Sequence, residues 1–325
     1  MKRIFTLEHL PLLATAFVLG LLFLVGALSF HGFASLRVVV DLFGDNAFVG
    51  VAAVGATLVI LSGGIDLSAG AVVAFTGILI ARLMAWGLPP WAAIGAALFA
   101  GLVLGAAQGA LIYFFILPPF LVTLAGMFLM RGLAFVVHPQ SLAIVHPFYT
   151  ETVVRNLNLS LTSRVAWPLT ASCLVIAMLA GWILTRYTTF GRNVYALGSN
   201  ETSAYLLGVP VGRMKVAIYA LAGFCSALGG VVATFYMQSG NPASFVGLEL
   251  DIIAAVVIGG TLLTGGGGSM LGTLAGVLIL GLIQTLISFQ GTLNSWWTRI
   301  AIGGLLLVFI GLQRVLAHFG RRVRP

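Results

Sequence analysis

The chain has 325 residues, of which 60% are hydrophobic and only 7% are charged, and its mean hydropathy is +1.11. Soluble domains carry roughly 25% charged residues, so a soluble fold could not bury this much apolar surface. The composition therefore indicates a polytopic membrane protein. The net charge of +8 does not indicate nucleic-acid binding, because no basic face is interleaved with stacking aromatic residues and cytoplasmic loops concentrate Lys and Arg.

Apolar segments separated by polar or glycine-containing breaks predict about ten transmembrane helices in one all-α domain, residues 1–325. They lie at about 11–30, 45–62, 68–86, 91–115, 118–137, 167–185, 216–237, 249–263, 269–289 and 297–314. The first segment is too long for the apolar region of a signal peptide, so we expect a retained span. The eighth is short, and we expect it to be broken, tilted or extended from the preceding loop.

The distribution of basic residues predicts an orientation. If the N-terminus is cytoplasmic, ten spans return the C-terminus to the cytoplasm. Ten Lys and Arg residues then lie inside and six lie outside or near the outer ends, which is the bias expected of membrane proteins. This orientation places the polar loop 186–215 in the cytoplasm and the loop 138–166 in the periplasm.

The first polar break, LSGGIDLSAG at 61–70, contains Asp66, the most costly residue to place in a membrane. A carboxylate between two apolar spans usually faces a cavity or a partner. It can also cap the third span by accepting hydrogen bonds from the N–H groups of Ser68 and Ala69, and the two roles can coexist. The candidates for lining or gating a pathway here are Ser62, Gly63, Gly64 and Asp66.

Arg131 lies towards the outer part of the fifth span, in LAGMFLMRGLAF. Its side chain either extends to the outer interface, lines the pathway or pairs with an acid. We retain Arg131 as a pathway candidate, because a cation inside a span is otherwise expensive.

The clearest polar interruption lies between the sixth and seventh spans, at 185–216. Asn200 is placed to be an N-cap, Glu201 falls in the first helical turn, and Gly208 can end the helix in a left-handed conformation. These signals predict a short helix over 201–207. Such a helix is marginal alone in water, so we expect it to lie on another protein. Asn200 and Glu201 either contact that protein or only cap the helix.

A second break, LTGGGGSMLG at 263–272, matches the first at constant spacing. Six spans separate the two copies, an even number, so the match indicates a weak parallel internal repeat. Four consecutive glycines would unravel a helix in lipid unless their backbone lined a cavity or was buried in protein. Gly265 and Gly266 therefore join the pathway candidates.

Catalytic motifs are absent from the sequence. Neither Lys2 nor Lys215 stands in a P-loop, and no metal-ligand pattern includes Cys173 or Cys225, which are isolated in apolar runs. We therefore expect no enzyme activity, and no metal or cofactor bound by this chain. Three transport classes remain: an importer subunit driven by a partner ATPase, an ion-coupled secondary carrier for a small polar solute, and a passive channel.

Three stretches in order along the chain resemble the permeases of bacterial ATP-binding-cassette (ABC) sugar importers of the ribose/galactoside class. They are LSGGIDLSAGAVVAFTG at 61–77, TRYTTFGRNVYALGSNETSAYLLGV at 185–209 and VVIGGTLLTGGGGSMLGTLAGVLILGLIQ at 256–284. DNAFVGVAAVGATLVILSGGIDLS, LAGMFLMRGLAF and GTLNSWWTRIAIG further resemble the YjfF-type permeases of galactofuranose importers.

The resemblance implies a bacterial inner-membrane permease of about ten transmembrane helices. Two permease chains would surround one pathway, and a related, non-identical chain would pair with this one. ATP and Mg²⁺ would be bound by separate ATP-binding subunits below, and a periplasmic sugar-binding protein would deliver a monosaccharide from above. Membrane lipid would surround the assembly. Neither the sugar nor the choice between homodimer and heterodimer follows from the residues.

The family signature T-x-F-G-R-x-x-Y-A-x-G-x-N maps onto Thr188, Phe190, Gly191, Arg192, Tyr195, Ala196, Gly198 and Asn200. By resemblance, these residues flank the helix that docks on the ATPase. The coupling candidates are Arg192, Gly198, Asn200, Glu201, Leu207 and Gly208. The run GGGGSM departs from the family pattern, in which fewer consecutive glycines are expected, and leaves the backbone of the second break open.

Overall fold

The computed structural model describes residues 10–156, 158–162, 165–292, 294 and 296–322. Within these residues the chain is mostly helical, as expected for an all-α membrane protein. The α-helices are α1 Leu10–Ser29, α2 Leu36–Asp45, α3 Ala47–Leu61, α4 Ala69–Ala85, α5 Pro90–Phe114, α6 Pro119–Val137, α7 Leu169–Tyr187, α8 Thr189–Ser199, α9 Glu201–Leu206, α10 Val211–Met237, α11 Leu248–Ile258, α12 Met270–Gln290 and α13 Trp296–Arg322.

Each of the ten predicted segments coincides with a helix. Six described helices are long and apolar enough to cross a membrane, and a seventh span results if α2 and α3, bent by 53°, count as one. α4 is shorter, and the 11-residue α11 spans only about 16 Å of a core about 30 Å thick. The structure confirms a polytopic helical protein, whereas the count of ten stays a prediction.

Helix α3 is the centre of the bundle. Every residue of α3 except Phe48 is buried, which is the pattern of a helix that is apolar all round. Its Gly55 lies against α10, where an added Cβ would be 2.7 Å from the Ala222 Cα atom. The neighbouring helices α7, α10, α11 and α12 cover its other faces.

Small residues at four-residue spacing, Gly101, Gly105 and Gly109, bring α5 into backbone contact with α10. The two helices run antiparallel: Gly101 faces Gly223, and Gly109 lies against Val216, where an added Cβ would be 2.7 Å from Cα. Such close approach gives dispersion and packing energy without a hydrophobic difference between helix and lipid.

The loop between α6 and α7 is structured. It contains a π-helical segment, Phe148–Asn156, and a hairpin of β2 Leu159–Thr162 with β3 Val165–Trp167. A two-residue strand, β1 Leu142–Ala143, pairs antiparallel with β4 Ser239–Gly240 after α10. The end of the bundle that carries these strands is called the outer end below.

The two sequence repeats fold alike. α3 and α11 both end at a glycine-containing break, and α4 and α12 both begin after it. The matched residues Gly63 and Gly265 adopt nearly the same left-handed backbone, with φ of +82° and +83°. The breaks meet at one end of the bundle, where the Gly266 N–H donates a hydrogen bond of 2.9 Å to the Leu61 carbonyl.

Candidate functional site

The polar segment 188–209 forms two short helices rather than one. Thr188 caps α8 by accepting a hydrogen bond of 3.1 Å from the Gly191 N–H. Asn200 caps α9 by accepting one of 2.7 Å from the Ser203 N–H, so its predicted N-cap role is confirmed. Sequence analysis missed α8, although the Thr188 cap and the buried Gly191, Val194 and Leu197 at helical spacing signal it.

Gly208 ends α9 as predicted. Its φ is +83°, and its N–H donates to the Tyr205 carbonyl while the Val209 N–H donates to the Ala204 carbonyl. This pair of bonds is a Schellman motif, which needs a left-handed residue at the glycine position. The helix ends one residue earlier than predicted, at Leu206, because Leu207 already forms the C-cap.

Helix α9 presents an apolar surface that the described chain does not cover. Leu206 is 78% and Leu207 is 83% exposed, and only Ala204 of α9 is buried. Glu201 forms an ion pair of 2.6 Å with Lys215 of α10, which fixes one end of the helix. Arg192 on α8 is also exposed. A helix this short is marginal alone in water, and its exposed apolar surface suits a docking partner.

The far end of α8 touches both helix breaks through backbone atoms. A Cβ on Gly198 would overlap the Leu61 carbonyl oxygen of the first break and lie 2.6 Å from the Gly266 nitrogen of the second. A Cβ on Gly265 would lie 2.8 Å from both the Gly198 oxygen and the Gly63 nitrogen. We call Gly63, Gly198, Gly265 and Gly266 the glycine junction. Only residues without side chains allow three chain segments to approach this closely.

Tyr195 adds a side-chain link between α8 and the second break. Its hydroxyl donates a hydrogen bond of 2.9 Å to the Gly268 carbonyl. Burial raises the pKa of Tyr195, while nearby Arg186 acts in the opposite direction. The phenol therefore stays protonated at neutral pH and remains a donor. This link explains the place of the tyrosine in the family signature, a role that spacing alone does not reveal.

Asp66 is buried, with 4% of its surface exposed. Its Oδ1 accepts a hydrogen bond of 2.7 Å from the Ser68 N–H and one of 2.6 Å from the Ser68 hydroxyl. Of the two predicted capping bonds, only the one from Ser68 forms. Ser68 is the N-cap residue of α4, which has no side-chain cap, so Asp66 orders the turn just before the helix and caps no N–H of the helix itself. Charge-assisted bonds of this kind compensate part of the desolvation of the carboxylate.

Two further polar groups lie near Asp66. The Ser68 hydroxyl is 3.4 Å from Gln108 Oε1, and the Tyr219 hydroxyl lies against Gly64. Among the described residues, neither Gln108 Nε2 nor the Tyr219 hydroxyl makes a hydrogen bond of ordinary geometry. The first break is therefore a polar region between apolar helices, and burying each of these groups without a hydrogen-bond partner costs free energy.

Arg131 lies apart from the junction. Its Nη1 donates hydrogen bonds of 2.6 Å to the Ser244 carbonyl and 3.0 Å to the Pro242 carbonyl, and Nη2 lies 3.4 Å from the Phe245 carbonyl. The guanidinium therefore holds the loop after β4 instead of extending freely to the interface. No ion pair with an acid is present among the described residues within 4.0 Å.

The pathway candidates thus fall into two groups. Thr123, near the start of α6, contacts the first break through the Ile65 carbonyl at 3.2 Å. Arg131 is farther along the same helix, by about 12 Å at 1.5 Å per residue, and faces the outer end. The structure brings Gly63, Gly265 and Gly266 together with Gly198. Gly64 lies instead against the Tyr219 hydroxyl, and Arg131 lies outside that cluster. No described group of three His, Cys, Asp or Glu side chains could hold a metal ion.

Comparison with known proteins identifies the family of the chain. A family model described as "Branched-chain amino acid transport system / permease component" matches residues 38–310, which include both breaks and the polar segment 188–209. The chain belongs to this permease family. It is therefore a multi-pass translocation subunit of a transporter complex and not an enzyme.

Several relatives cover nearly the whole permease. The inner membrane ABC transporter permease protein YjfF of Escherichia coli K12 is 48% identical over 95% of this chain and 93% of its own length. The fructose import permease protein FruG of Bifidobacterium longum is 35% identical, with coverage of 98% and 95%. The ribose import permease protein RbsC of Bacillus subtilis is 37% identical, with coverage of 85% and 84%.

Proposed function

We propose that the chain is the inner-membrane permease subunit of an ABC importer that moves a monosaccharide. A periplasmic binding protein delivers the sugar, a second, related permease chain completes the pathway, and a separate ATPase binds ATP and Mg²⁺. The exposed surface of α9 is the docking site of that ATPase. The observation that carries this proposal is the contact of α8 with both helix breaks at the glycine junction.

The junction gives a physical route for coupling. A displacement of α9 is passed to α8 through the single-residue connection at Asn200. In the last turn of α8, Gly198 lies against Leu61 and Gly266. These contacts join backbone to backbone, so they cannot relax by a change of side-chain rotamer. A movement of α8 therefore shifts the breaks and the helices α4 and α12 that begin after them. This shift opens the pathway alternately to the two sides of the membrane.

The sugar class is supported by the relatives, whose names give fructose and ribose as imported solutes. The family description names amino acids instead, but the relatives with long matches favour a sugar. We propose galactofuranose specifically, because DNAFVGVAAVGATLVILSGGIDLS, LAGMFLMRGLAF and GTLNSWWTRIAIG resemble the permeases of galactofuranose importers. Specificity can also reside in the binding protein, which meets the sugar first.

We place both termini in the cytoplasm. The excess of basic residues on that side supports this orientation, and so does the position of α1. Thr15, near the start of α1, donates a hydrogen bond of 2.7 Å to the Ile258 carbonyl beside the second break. The start of α1 thus lies at the end of the bundle that carries α8 and α9. An ion-coupled carrier is not favoured, because the relatives are ABC permeases.

Replacement of Gly208 by proline tests the coupling role. Proline fixes φ near −65° and lacks an N–H, whereas Gly208 has a φ of +83° and donates to Tyr205. In liposomes with the assembled transporter, we expect Gly208→Pro to hydrolyse ATP without importing sugar.

Gly208→Asn is the matched control. No atom lies within 4 Å of the Cβ position, and Asn tolerates the left-handed conformation, so uptake should stay within about twofold. Normal uptake per ATP in Gly208→Pro would exclude α9 as the coupling element. Uptake by the wild type that follows an ion gradient without any ATPase would overturn the whole proposal.

A further inference from the structure

A cavity of about 330 Å³ lies at the outer end of the bundle. It is bounded by α4, by the end of α10 and by the loop that follows β4. Its lining includes Gly77 of α4, Thr234 of α10 and the loop residues Ser239, Asn241, Ser244 and Phe245. The cavity is separate from the glycine junction, and its side chains were not among the candidates from the sequence.

The polar part of the wall is neutral. It consists of hydroxyl and amide groups, and no charged side chain is among the lining residues. Behind the wall, the Tyr149 hydroxyl is 3.0 Å from the Thr234 hydroxyl, and burial raises the pKa of Tyr149 to about 12. The tyrosine is therefore uncharged at neutral pH. A phosphate, a carboxylate or an amino-acid zwitterion would meet no compensating charge in this wall.

The apolar part of the wall is held in place. Phe245 has a φ of +63°, which is unusual for a residue with a bulky side chain. Its ring packs against Phe48, with 5.4 Å between the ring centroids. Arg131 binds the carbonyls of Pro242 and Ser244 from outside the cavity. The strained loop is thus fixed by a guanidinium and an aromatic contact, and such strain often marks a functional site.

We propose that this cavity is a transit subsite for one neutral polyhydroxylated ring, a monosaccharide, at the outer side of the permease. The Ser239 and Ser244 hydroxyls and the Asn241 amide line the cavity and can donate to and accept from the hydroxyl groups of a sugar, and Phe245 offers an apolar face for its C–H groups. This inference rests on the proposed function for the direction of transport, but not for the chemistry of the ligand.

The position of the cavity connects it to coupling. Gly77 lines the cavity on α4, and α4 begins directly after the first break at Ala69. The distance from Ala69 to Gly77 along the helix is about 12 Å. A movement of the glycine junction would therefore shift one wall of the cavity as a rigid body. Helix α4 would thus be displaced by the ATPase at its start and would contact the sugar farther along, at Gly77.

Site-directed labelling tests occupancy without transport. Native Cys173 and Cys225 are replaced by alanine, and Ser239→Cys or Ser244→Cys is introduced in the purified permease. We expect D-galactose, D-fructose or D-ribose at millimolar concentration to slow maleimide labelling severalfold, whereas D-glucose 6-phosphate and L-leucine should not. Equal protection by leucine, or no protection by any sugar at either cysteine, would overturn the proposal.

Filling the cavity is the second arm. A Cβ on Gly77 would make only ordinary contacts, 3.7 Å to Thr234 and 3.8 Å to Gly240, so the helix accepts it and a longer side chain enters the cavity. Gly77→Leu should abolish protection and lower the sugar imported per ATP by about tenfold. Gly95→Leu is the control, because nothing lies within 4 Å of its Cβ position, and it should match the wild type.

The two arms separate this inference from the proposed function. If sugars protect the cysteines but the assembled wild type does not import them with ATP, the cavity stands and the importer proposal fails. If the wild type imports sugar, the sugars give no protection and Gly77→Leu imports normally, the cavity is not a subsite. Ser239→Ala with Ser244→Ala removes two hydroxyls with little change in packing. It should lower import about fivefold, and normal import would count against the site.

Discussion

Replacing Gly198 by alanine perturbs the glycine junction with a single methyl group. Gly198 lies within α8, where alanine is conformationally favoured over glycine by about 1 kcal/mol. The methyl carbon would nevertheless overlap the Leu61 carbonyl oxygen and lie 2.6 Å from the Gly266 nitrogen. These two atoms form a hydrogen bond of 2.9 Å with each other, so the methyl group must separate the two breaks.

The magnitude follows from three contributions. Overpacking of a close contact destabilises by about 1–3 kcal/mol, and loss of the Gly266 to Leu61 hydrogen bond adds about 1 kcal/mol. The gain in helix propensity offsets about 1 kcal/mol. The net destabilisation is thus about 1–3 kcal/mol, which corresponds to a fall of about 5 °C in the apparent Tm.

The assay combines thermal unfolding in detergent with uptake and ATP hydrolysis in liposomes. Gly198→Ala should lower both the apparent Tm and the sugar imported per ATP, because the breaks are displaced from α8. Gly95→Ala is a matched helical control with open space at Cβ, and it should be neutral or slightly stabilising. If the two variants have equal Tm and equal coupling, the three segments do not meet as described and the junction argument is refuted.

Two further substitutions address residues whose roles the sequence leaves open. Asp66→Asn keeps an acceptor for both Ser68 bonds, so we expect uptake within about twofold of wild type. Asp66→Ala loses that acceptor and should lower the free energy of unfolding by about 1–2 kcal/mol. A large loss of uptake in a stable Asp66→Asn variant would show that the pathway needs the charge. Arg131→Lys leaves one nitrogen in place of two, so it cannot hold the Pro242 and Ser244 carbonyls, which Nη1 binds, together with the Phe245 carbonyl beside Nη2. It should raise the rate at which Ser244→Cys reacts with maleimide severalfold, and an unchanged rate would mean that Arg131 does not hold this loop.

Local signals predicted helix α9 well. Asn200 and Gly208 act as caps because a side-chain acceptor and a left-handed glycine are requirements of a few neighbouring residues. The positions of the helices were predicted for the same reason, since long apolar runs need no tertiary information. Whether each short helix spans the membrane could not be predicted, as α4 and α11 show, because crossing depends on tilt and neighbours.

Long-range contacts could not be predicted in the same way. Arg131 was assigned to the pathway or the interface, but its partners are backbone carbonyls of a loop far along the chain. Backbone acceptors carry no sequence signature, so such a partner is invisible in the residues. The outer cavity was missed for a related reason: serine, threonine and asparagine in loops are common, and only their convergence gives them a role.

The sequence by itself determined the class of the protein, the positions of its helix breaks and the capped helix α9. Apolar run length, glycine clusters and cap residues act over a few positions, and the chain encodes them directly. Only the tertiary structure decided that Gly198 closes on Leu61 and Gly266 and that Gly77 and Ser244 share a cavity. Those arrangements arise from how whole helices pack. The closest of these contacts are made by glycine, which has no side chain whose chemistry could indicate its partner.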